Sequence, residues 1–251
     1  MALRRKLVQV LLLSLFSLNL SGQIKDSAIN VFQIRANYSF HIPSGDIANR
    51  FGPSHMIGTS LDYKFKNNWS LGLQANYMFG GFVKDSTILD HLKDRQEGII
   101  NEYGEYGTIL LTQSGFYGGV SIGKVIPVLS SNPNSGLKLE LGAGILQHHI
   151  RIENKDNNIP AVLGDYRDGY DRLTYGLSMR QFIGYQYLDP NGYYNFFAGF
   201  EFYQAWTYNR RSINYDTGIV DDSQKNDFLW GFNVGWCIPI YRKAPAEFYY
   251  Y

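Results

Sequence analysis

Residues 31–42 read VFQIRANYSFHI, and apolar and polar side chains alternate along the whole stretch. The even positions from Phe32 to Ile42 are apolar or aromatic, whereas the odd positions from Gln33 to His41 are polar. Successive side chains of a β-strand point to opposite faces of the sheet. The stretch therefore predicts a strand with one face suited to hydrocarbon and the other suited to water.

The same period-two alternation recurs in seven later stretches of the chain. Mean hydropathy does not reveal a membrane protein of this kind, because half of each strand is polar, whereas a periodicity count does. We predict strands at about 29–42, 56–65, 69–82, 108–126, 137–152, 172–188, 193–209 and 227–241.

The connections between these strands alternate between long loops and short turns. Outer-membrane barrels have short periplasmic turns and long extracellular loops, so this second pattern agrees with the first. Together they predict an all-β fold, an eight-stranded antiparallel up-and-down transmembrane β-barrel. Ten strands remain an alternative if residues 97–112 contain a further pair. A soluble lipocalin-like barrel is the main rival, but bulky rows such as Phe196, Phe200 and Trp230 would crowd a small lumen.

The first residues have the pattern of a signal peptide. The basic residues Arg4, Arg5 and Lys6 precede an apolar segment at 7–20, which is shorter than the roughly 20 residues that a membrane-spanning helix needs. We therefore expect export to the cell outer membrane. The predicted organisation is a signal peptide at 1–22, the barrel at 23–241 and a C-terminal aromatic tail at 242–251.

The composition limits the expected partners. With 23 basic and 22 acidic residues, the chain is nearly neutral and offers no reason to expect nucleic acid. Cys237 is the only cysteine, so an intrachain disulfide is excluded. We expect contact with outer-membrane lipid, and protein partners at the loops, the rim or the outer wall.

Inward-facing charges predict an ion-pair network in the lumen. Residues 189–192, DPNG, form a turn sequence, and closing the turn between 189 and 192 places Arg180 opposite Glu201. We expect Arg35 and Glu140 to join this pair, because the interior of an eight-stranded barrel holds only side chains and a lone buried charge is costly. A proton or ion path through these groups is the alternative.

Two long loops combine acidic and aromatic residues, which favours a surface for a partner or a glycan. Calcium also prefers such oxygen ligands, but no EF-hand spacing is present, and a solvated acidic loop is the plainer interpretation. The candidate loop-binding residues are Asp165, Tyr166, Asp168, Tyr170 and Tyr215.

The tail ends in four aromatic residues after the basic pair Arg242 and Lys243. Three roles are open for it: recognition by the barrel-insertion machinery, docking on the barrel base or a periplasmic partner, and anchoring at the membrane interface. The aromatic residues are Phe248, Tyr249, Tyr250 and Tyr251.

We expect no catalytic, cofactor or metal site. His148 and His149 are adjacent, so a strand would point them to opposite faces, and they cannot chelate one metal without distortion. The sequence contains no HExxH or P-loop motif.

Three segments resemble small outer-membrane β-barrel proteins of the Bacteroidetes type. They are the Gly22-Gln23 junction, residues 45–52 with the sequence GDIANRFG, and the ending at 240–251. The resemblance is one of pattern across the mature chain, and it implies an outer-membrane location and an eight-stranded barrel. Some members of this broad group are subunits of secretion or barrel-assembly machines, which implies an accessory role by analogy.

The leading hypothesis is a non-enzymatic outer-membrane barrel with a side-chain-plugged lumen. It would act through its extracellular loops or periplasmic rim, as an accessory subunit of an envelope secretion or assembly complex. Two alternatives stay open. A narrow channel requires a water-filled lumen, and a lipid-modifying enzyme requires a Ser/His/acid cluster near the outer leaflet.

Overall fold

A computed structural model of the chain describes residues 28–128, 132–156, 158–189 and 194–240. The predicted signal peptide at 1–22 and the predicted tail, with Phe248, Tyr249, Tyr250 and Tyr251, lie outside these residues. None of the described helices is long and apolar enough to cross a membrane.

Eight long strands and two short ones make up most of the described chain. The strands are β1 (Val31–Gly45), β2 (Ser54–Lys64), β3 (Trp69–Gly80), β4 (Ile99–Ile100), β5 (Tyr106–Gly107), β6 (Ile109–Ile126), β7 (Gly136–Asn154), β8 (Thr174–Leu188), β9 (Asn195–Asn209) and β10 (Gln224–Ile240). The loops contain two single-turn α-helices, α1 (Ile47–Arg50) and α2 (Asp165–Asp168), and two 3-10 helices, Ser86–Leu92 and Pro160–Val162.

The eight long strands form a closed antiparallel barrel, which confirms the predicted fold class. Closure occurs where the first strand meets the last: β1 pairs with β10 from Phe32 opposite Ile240 to Gly45 opposite Asp227. Each barrel strand therefore has two neighbours, and no strand edge is left without backbone hydrogen-bond partners in the bilayer.

The ten-stranded alternative is wrong. An additional strand pair does lie in residues 97–112, but β4 and β5 pair only with each other, through Ile99 opposite Gly107 and Ile100 opposite Tyr106. Two residues per strand cannot cross a bilayer, which needs about nine to eleven. The pair is a small ribbon in a loop above the barrel.

Apolar and polar side chains are divided between the two faces of the barrel wall as the alternation predicts. Along β1, Phe32, Tyr38 and Ile42 are exposed on the outside, whereas Gln33 and His41 are buried in the lumen. The same division holds round the barrel, so the outer surface is apolar and the interior is largely polar. A lipocalin has the opposite arrangement. A closed barrel with this surface is an outer-membrane protein.

Aromatic side chains ring the outer wall near both ends of the strands, where outer-membrane barrels meet the two membrane interfaces. Near the end with long loops they include Phe40, Phe79, Tyr175 and Tyr208, and near the other end Tyr63, Trp69, Tyr187 and Phe196.

The loop lengths assign the two ends of the barrel. The connections at 46–53, 81–108, 155–173 and 210–223 are at one end, and those at 65–68, 127–135 and 189–194 are at the other. Because outer-membrane barrels have long extracellular loops, the first end is extracellular and the second is periplasmic. The short turn at 65–68 depends on Asn68, whose φ of 64° is the left-handed conformation that asparagine tolerates.

The separate ribbon gives a direct test of the strand count. Replacing residues 97–107 by a short Gly-Ser linker should leave a folded barrel, because the ribbon shares no ladder with the eight long strands. Heat-modifiable migration on gels and circular dichroism in lipid vesicles would measure folding. Deleting residues 54–80, which removes β2 and β3, is the control and should abolish folding. Loss of the folded form in the linker variant would contradict the eight-stranded architecture.

Candidate functional site

Six titratable side chains form a continuous chain across the interior of the barrel, which we call the lumenal network. They come from β1, β2, β7, β8 and β9, and all are buried. In the order of their contacts they are Asp62, Arg35, Glu140, Arg180, Glu201 and His41.

Glu140 is the centre of the lumenal network, because three cations surround its carboxylate. Arg35 donates to both oxygens of Glu140, with distances of 3.0 and 3.1 Å, and Arg180 Nη1 donates to Oε1 at 3.0 Å. Lys138 Nζ lies 3.2 Å from Oε2, and Gln74 donates to Oε1 at 2.6 Å. These contacts offset the desolvation cost of the Glu140 carboxylate, which would be unfavourable if it were buried without partners.

Arg180 connects Glu140 to Glu201 on the next strand. Its Nε and Nη2 atoms lie 2.9 and 2.8 Å from Glu201 Oε2. Glu201 also accepts from Asn233 Nδ2 at 2.8 Å, and His41 Nε2 lies 2.8 Å from Oε1. The structure thus brings together Arg35, Glu140, Arg180 and Glu201, the four residues of the predicted ion-pair network.

Arg180 reaches Glu201 diagonally and not from a directly opposite position. The β8–β9 ladder pairs Arg180 with Tyr203, so the predicted register is wrong by two residues. The reason is the turn, because the ladder ends at Leu188 and Asn195 and the connection is longer than the predicted four-residue turn. A shift of two residues keeps each side chain on its face, and the contact survives.

Several partners of the lumenal network were absent from the sequence prediction. Asp62, Lys138 and His41 all occupy inward positions, so strand parity alone could have nominated them. With these residues, three cations and three carboxylates balance in the centre of the lumen. Phe197 adds a further contact, because its ring lies 5.1 Å from the Arg35 guanidinium carbon.

An apolar cluster, here called the apolar cap, closes the extracellular end of the lumen. Inward side chains from the ends of the strands pack against side chains that the long loops carry inward. The strand members are Met56, Met78, Tyr117, Leu146, Ile150, Ile152, Tyr203, Ala205 and Leu229, and the loop members are Ile47, Phe51, Ile88, Leu89, Ile159, Val162 and Tyr170. The cap is not predictable from strand alternation, because its loop members show no periodic pattern.

The apolar cap also encloses a second histidine–acid pair. His148 Nε2 lies 2.9 Å from Asp227 Oδ2, which also accepts a hydrogen bond from Thr207. The Phe51 ring packs edge-on against the imidazole at 5.7 Å. His149 points to the other face of β7, so the two adjacent histidines are separated as the strand geometry requires.

The described residues contain no group of three His, Cys, Asp or Glu side chains that could hold a metal ion. The His41–Glu201 and His148–Asp227 pairs have side chains that are at most 1% exposed, so a lipid substrate does not reach them.

One motif that the sequence analysis overlooked also proves to be structural. Residues 119–123, GVSIG, match the GxSxG pattern of hydrolases. They lie inside the straight strand β6, with Ser121 buried in the lumen, whereas the hydrolase motif requires a sharp strand-to-helix turn.

The predicted loop surface is only partly exposed. Tyr166 and Tyr215 are exposed, and Asp165 begins the exposed helix α2. Tyr170 is only 6% exposed, so its assignment to a binding surface is wrong. Its hydroxyl lies 2.9 Å from His91 Nε2, and burial raises the pKa of the phenol above its ordinary value.

Arginines pair with three of the acidic residues in these loops. Arg211 donates to Asp168 at 2.9 Å and also contacts Asp171, and Arg172 donates to Asp216 at 2.6 Å. These ion pairs tie neighbouring loops together. They give Asp168, Asp171 and Asp216 a structural explanation that requires no calcium.

Comparison with known proteins finds likeness in fold only. No protein-family model and no curated protein matches the chain. Among solved structures it is similar to Ail, the attachment invasion locus protein of Yersinia pestis, at 10% identity, with a TM-score of 0.45, 83% of this chain and 99% of that chain covered.

Two further outer-membrane barrels are similar at the same level. Neisserial surface protein A has 13% identity and a TM-score of 0.40, covering 82% of this chain and 96% of that chain. OprG from Pseudomonas aeruginosa has 11% identity and a TM-score of 0.35, covering 84% and 97%. At such identities no activity transfers from these proteins to this one.

The lumenal network predicts a large effect for Arg180→Ala. Removing the guanidinium leaves Glu201 without its cation and weakens the compensation of Glu140, which should lower the free energy of unfolding by about 3–5 kcal/mol. Urea unfolding in lipid vesicles, followed by tryptophan fluorescence, would measure the change.

Arg151→Ala is the matched control for this prediction. Arg151 pairs with Glu153 on the exposed outer rim, where its side chain is 56% exposed, so its loss should change stability by at most about 1 kcal/mol. Equal stability of Arg180→Ala and the parent protein would show that the buried pairing contributes nothing.

Proposed function

We propose that this protein is a non-enzymatic outer-membrane barrel with a plugged lumen, acting through its extracellular loops or its periplasmic rim. The observation that carries the proposal is the double closure of the interior. The lumenal network fills the middle of the barrel, and the apolar cap fills its extracellular end. A solute that enters from outside meets a packed apolar layer before it meets any charge.

The extracellular loops supply the surface on which such a protein would act. Large apolar side chains stay exposed there although the barrel wall no longer holds them in lipid. They include Phe82 at 70%, Tyr103 at 73% and Tyr166 at 64% exposure. Exposed aromatic side chains on structured loops support a role in contacting another macromolecule.

The accessory-subunit role is the finer part of the proposal, and it is supported by the resemblance to Bacteroidetes-type barrels. Residues 45–52, which carry that resemblance, form α1 and its flanks and insert Ile47 and Phe51 into the apolar cap. Because this segment seals the lumen, it supports a structural or docking role in a larger envelope complex over a role in transport.

Conductance separates a plugged barrel from a narrow channel. The purified protein in planar lipid bilayers should show no sustained single-channel current, because the apolar cap and the lumenal network both block the path. A conducting porin in the same bilayers is the control for membrane quality. A sustained, reproducible current from the folded protein would contradict the plug.

Affinity capture tests the role of the loops. Purification in mild detergent followed by mass spectrometry should recover an envelope protein that is lost when Asp165→Asn and Tyr166→Ala are combined. Tyr103→Ala, which changes an equally exposed aromatic residue near the β4–β5 ribbon, is the matched control and should retain the partner.

The remaining outcomes are also informative. If both variants retain the partner, the contact would lie at the periplasmic rim and not at the extracellular loops. Absence of any co-purifying envelope protein would contradict the accessory role.

A further inference from the structure

One polar side chain lies in the middle of the lipid-facing wall. Gln181 is the central residue of β8, with seven residues of the strand on either side, and it faces outward. It is midway between Tyr175 and Tyr187, the outward tyrosines near the two ends of the strand. Six residues, or roughly 20 Å along the strand, separate it from each of these two tyrosines.

The neighbours of Gln181 on its own strand and directly opposite it offer its amide nothing to bind. On its own strand the adjacent outward residues are Met179 and Ile183, and on the flanking strands the opposite residues are Leu141 and Phe202. Among the described residues, no hydrogen bond involves the Gln181 side chain. A primary amide has two donors and an acceptor, and acyl chains satisfy none of them.

Other polar residues on the outer wall are placed differently. The Thr59 hydroxyl donates to the Arg35 carbonyl oxygen at 2.9 Å, so it is satisfied within the wall. Gln204 is opposite Met179 and therefore diagonal to Gln181, but no hydrogen bond joins the two amides. It lies one outward position from Trp206, nearer the extracellular end of β9. Within the described strands, Gln181 is therefore the outward residue whose polar side chain is least compatible with the hydrocarbon core of the bilayer.

We propose that the β8–β9 face round Gln181 is an intramembrane interface that binds a second copy of this chain. A partner must supply both a donor and an acceptor at the depth of the bilayer midplane. A second Gln181 supplies both, because two amides related by a twofold axis can each donate to the carbonyl of the other. Such an interface is self-complementary and closes after two copies.

The side chains round Gln181 suit the same arrangement. Leu177 is 71% exposed, Phe200 67% and Ile183 53%, so they project well beyond the wall. In a dimer they would pack against their counterparts and keep lipid from the central amide pair. Association in a bilayer depends on such packing together with the buried hydrogen bond, since lipid itself is apolar. The inference requires only the membrane-spanning fold and is independent of the function proposed above.

Gln181→Leu tests the amide itself. In phosphatidylcholine vesicles, energy transfer between donor- and acceptor-labelled copies at increasing protein density would give the dimer dissociation constant. Loss of the reciprocal amide pair should raise that constant by about tenfold. Leucine is more compatible with lipid than glutamine, so the variant should fold, and heat-modifiable migration would verify this.

Gln147→Leu is the matched control. It removes an outward glutamine that pairs with the girdle residue Tyr175, where headgroups and water can satisfy the amide, so it should leave the dissociation constant unchanged. A Gln181→Leu variant that associates as tightly as the parent protein would overturn the proposal, and so would a parent protein that stays monomeric at every density.

Cross-linking gives an independent measurement of the geometry. Gln181→Cys should form a disulfide between copies in vesicles under mild oxidation, because the twofold axis passes beside this residue. Ile57→Cys on β2 is the control, since it is also outward but lies across the barrel from β8. The native Cys237 can stay in both variants, because it is buried in the lumen.

The pattern of cross-links decides the outcome. Linkage at position 181 and not at position 57 would support the dimer. Equal linkage at both positions would indicate random collision, and absence of linkage at position 181 would show that no second copy binds at this face. Both results would overturn the proposal.

Discussion

Hydrocarbon offers no hydrogen bonds, and this constraint shapes the whole structure. A strand in the bilayer must pair on both edges, so the sheet has to close, and the β1–β10 ladder is the closure. Closure then divides every strand into an outer face and an inner face. Apolar rows take the outer face because they meet lipid, and the polar rows have only the lumen left to occupy.

The charged side chains in the lumen are also shielded from bulk water, so they too must find their partners within the protein. Eight strands enclose a space that side chains fill, so a charged residue there finds its partner among the other inward side chains. Glu140 meets this requirement with three cations and a glutamine, and Glu201 with Arg180, His41 and Asn233. An interior compensated in this way is packed and neutral, which favours a protein that works from its ends and its outer wall.

Whether a feature of the site could be predicted depends on how far apart in sequence the residues that form it lie. Strand parity is local, so the lumenal position of Arg35, Glu140, Arg180 and Glu201 could be predicted from the chain alone. The β8–β9 register could not, because it depends on how a turn closes, and the prediction was wrong by two residues. The burial of Tyr170 was equally out of reach, since it depends on several loops converging over the barrel.

The amino-acid pattern alone predicts where the eight long strands lie, which residues of each strand face lipid, and which loops are long. These properties follow from a two-residue period and from spacing, and both are readable without knowing any contact. The three-dimensional contacts settle the strand count, which inward charges meet, how the loops seal the extracellular end, and that the Gln181 amide makes no hydrogen bond in the middle of the wall. Those features join residues far apart in the chain, and only the closed barrel brings them to within a few ångströms of one another or leaves them without a partner.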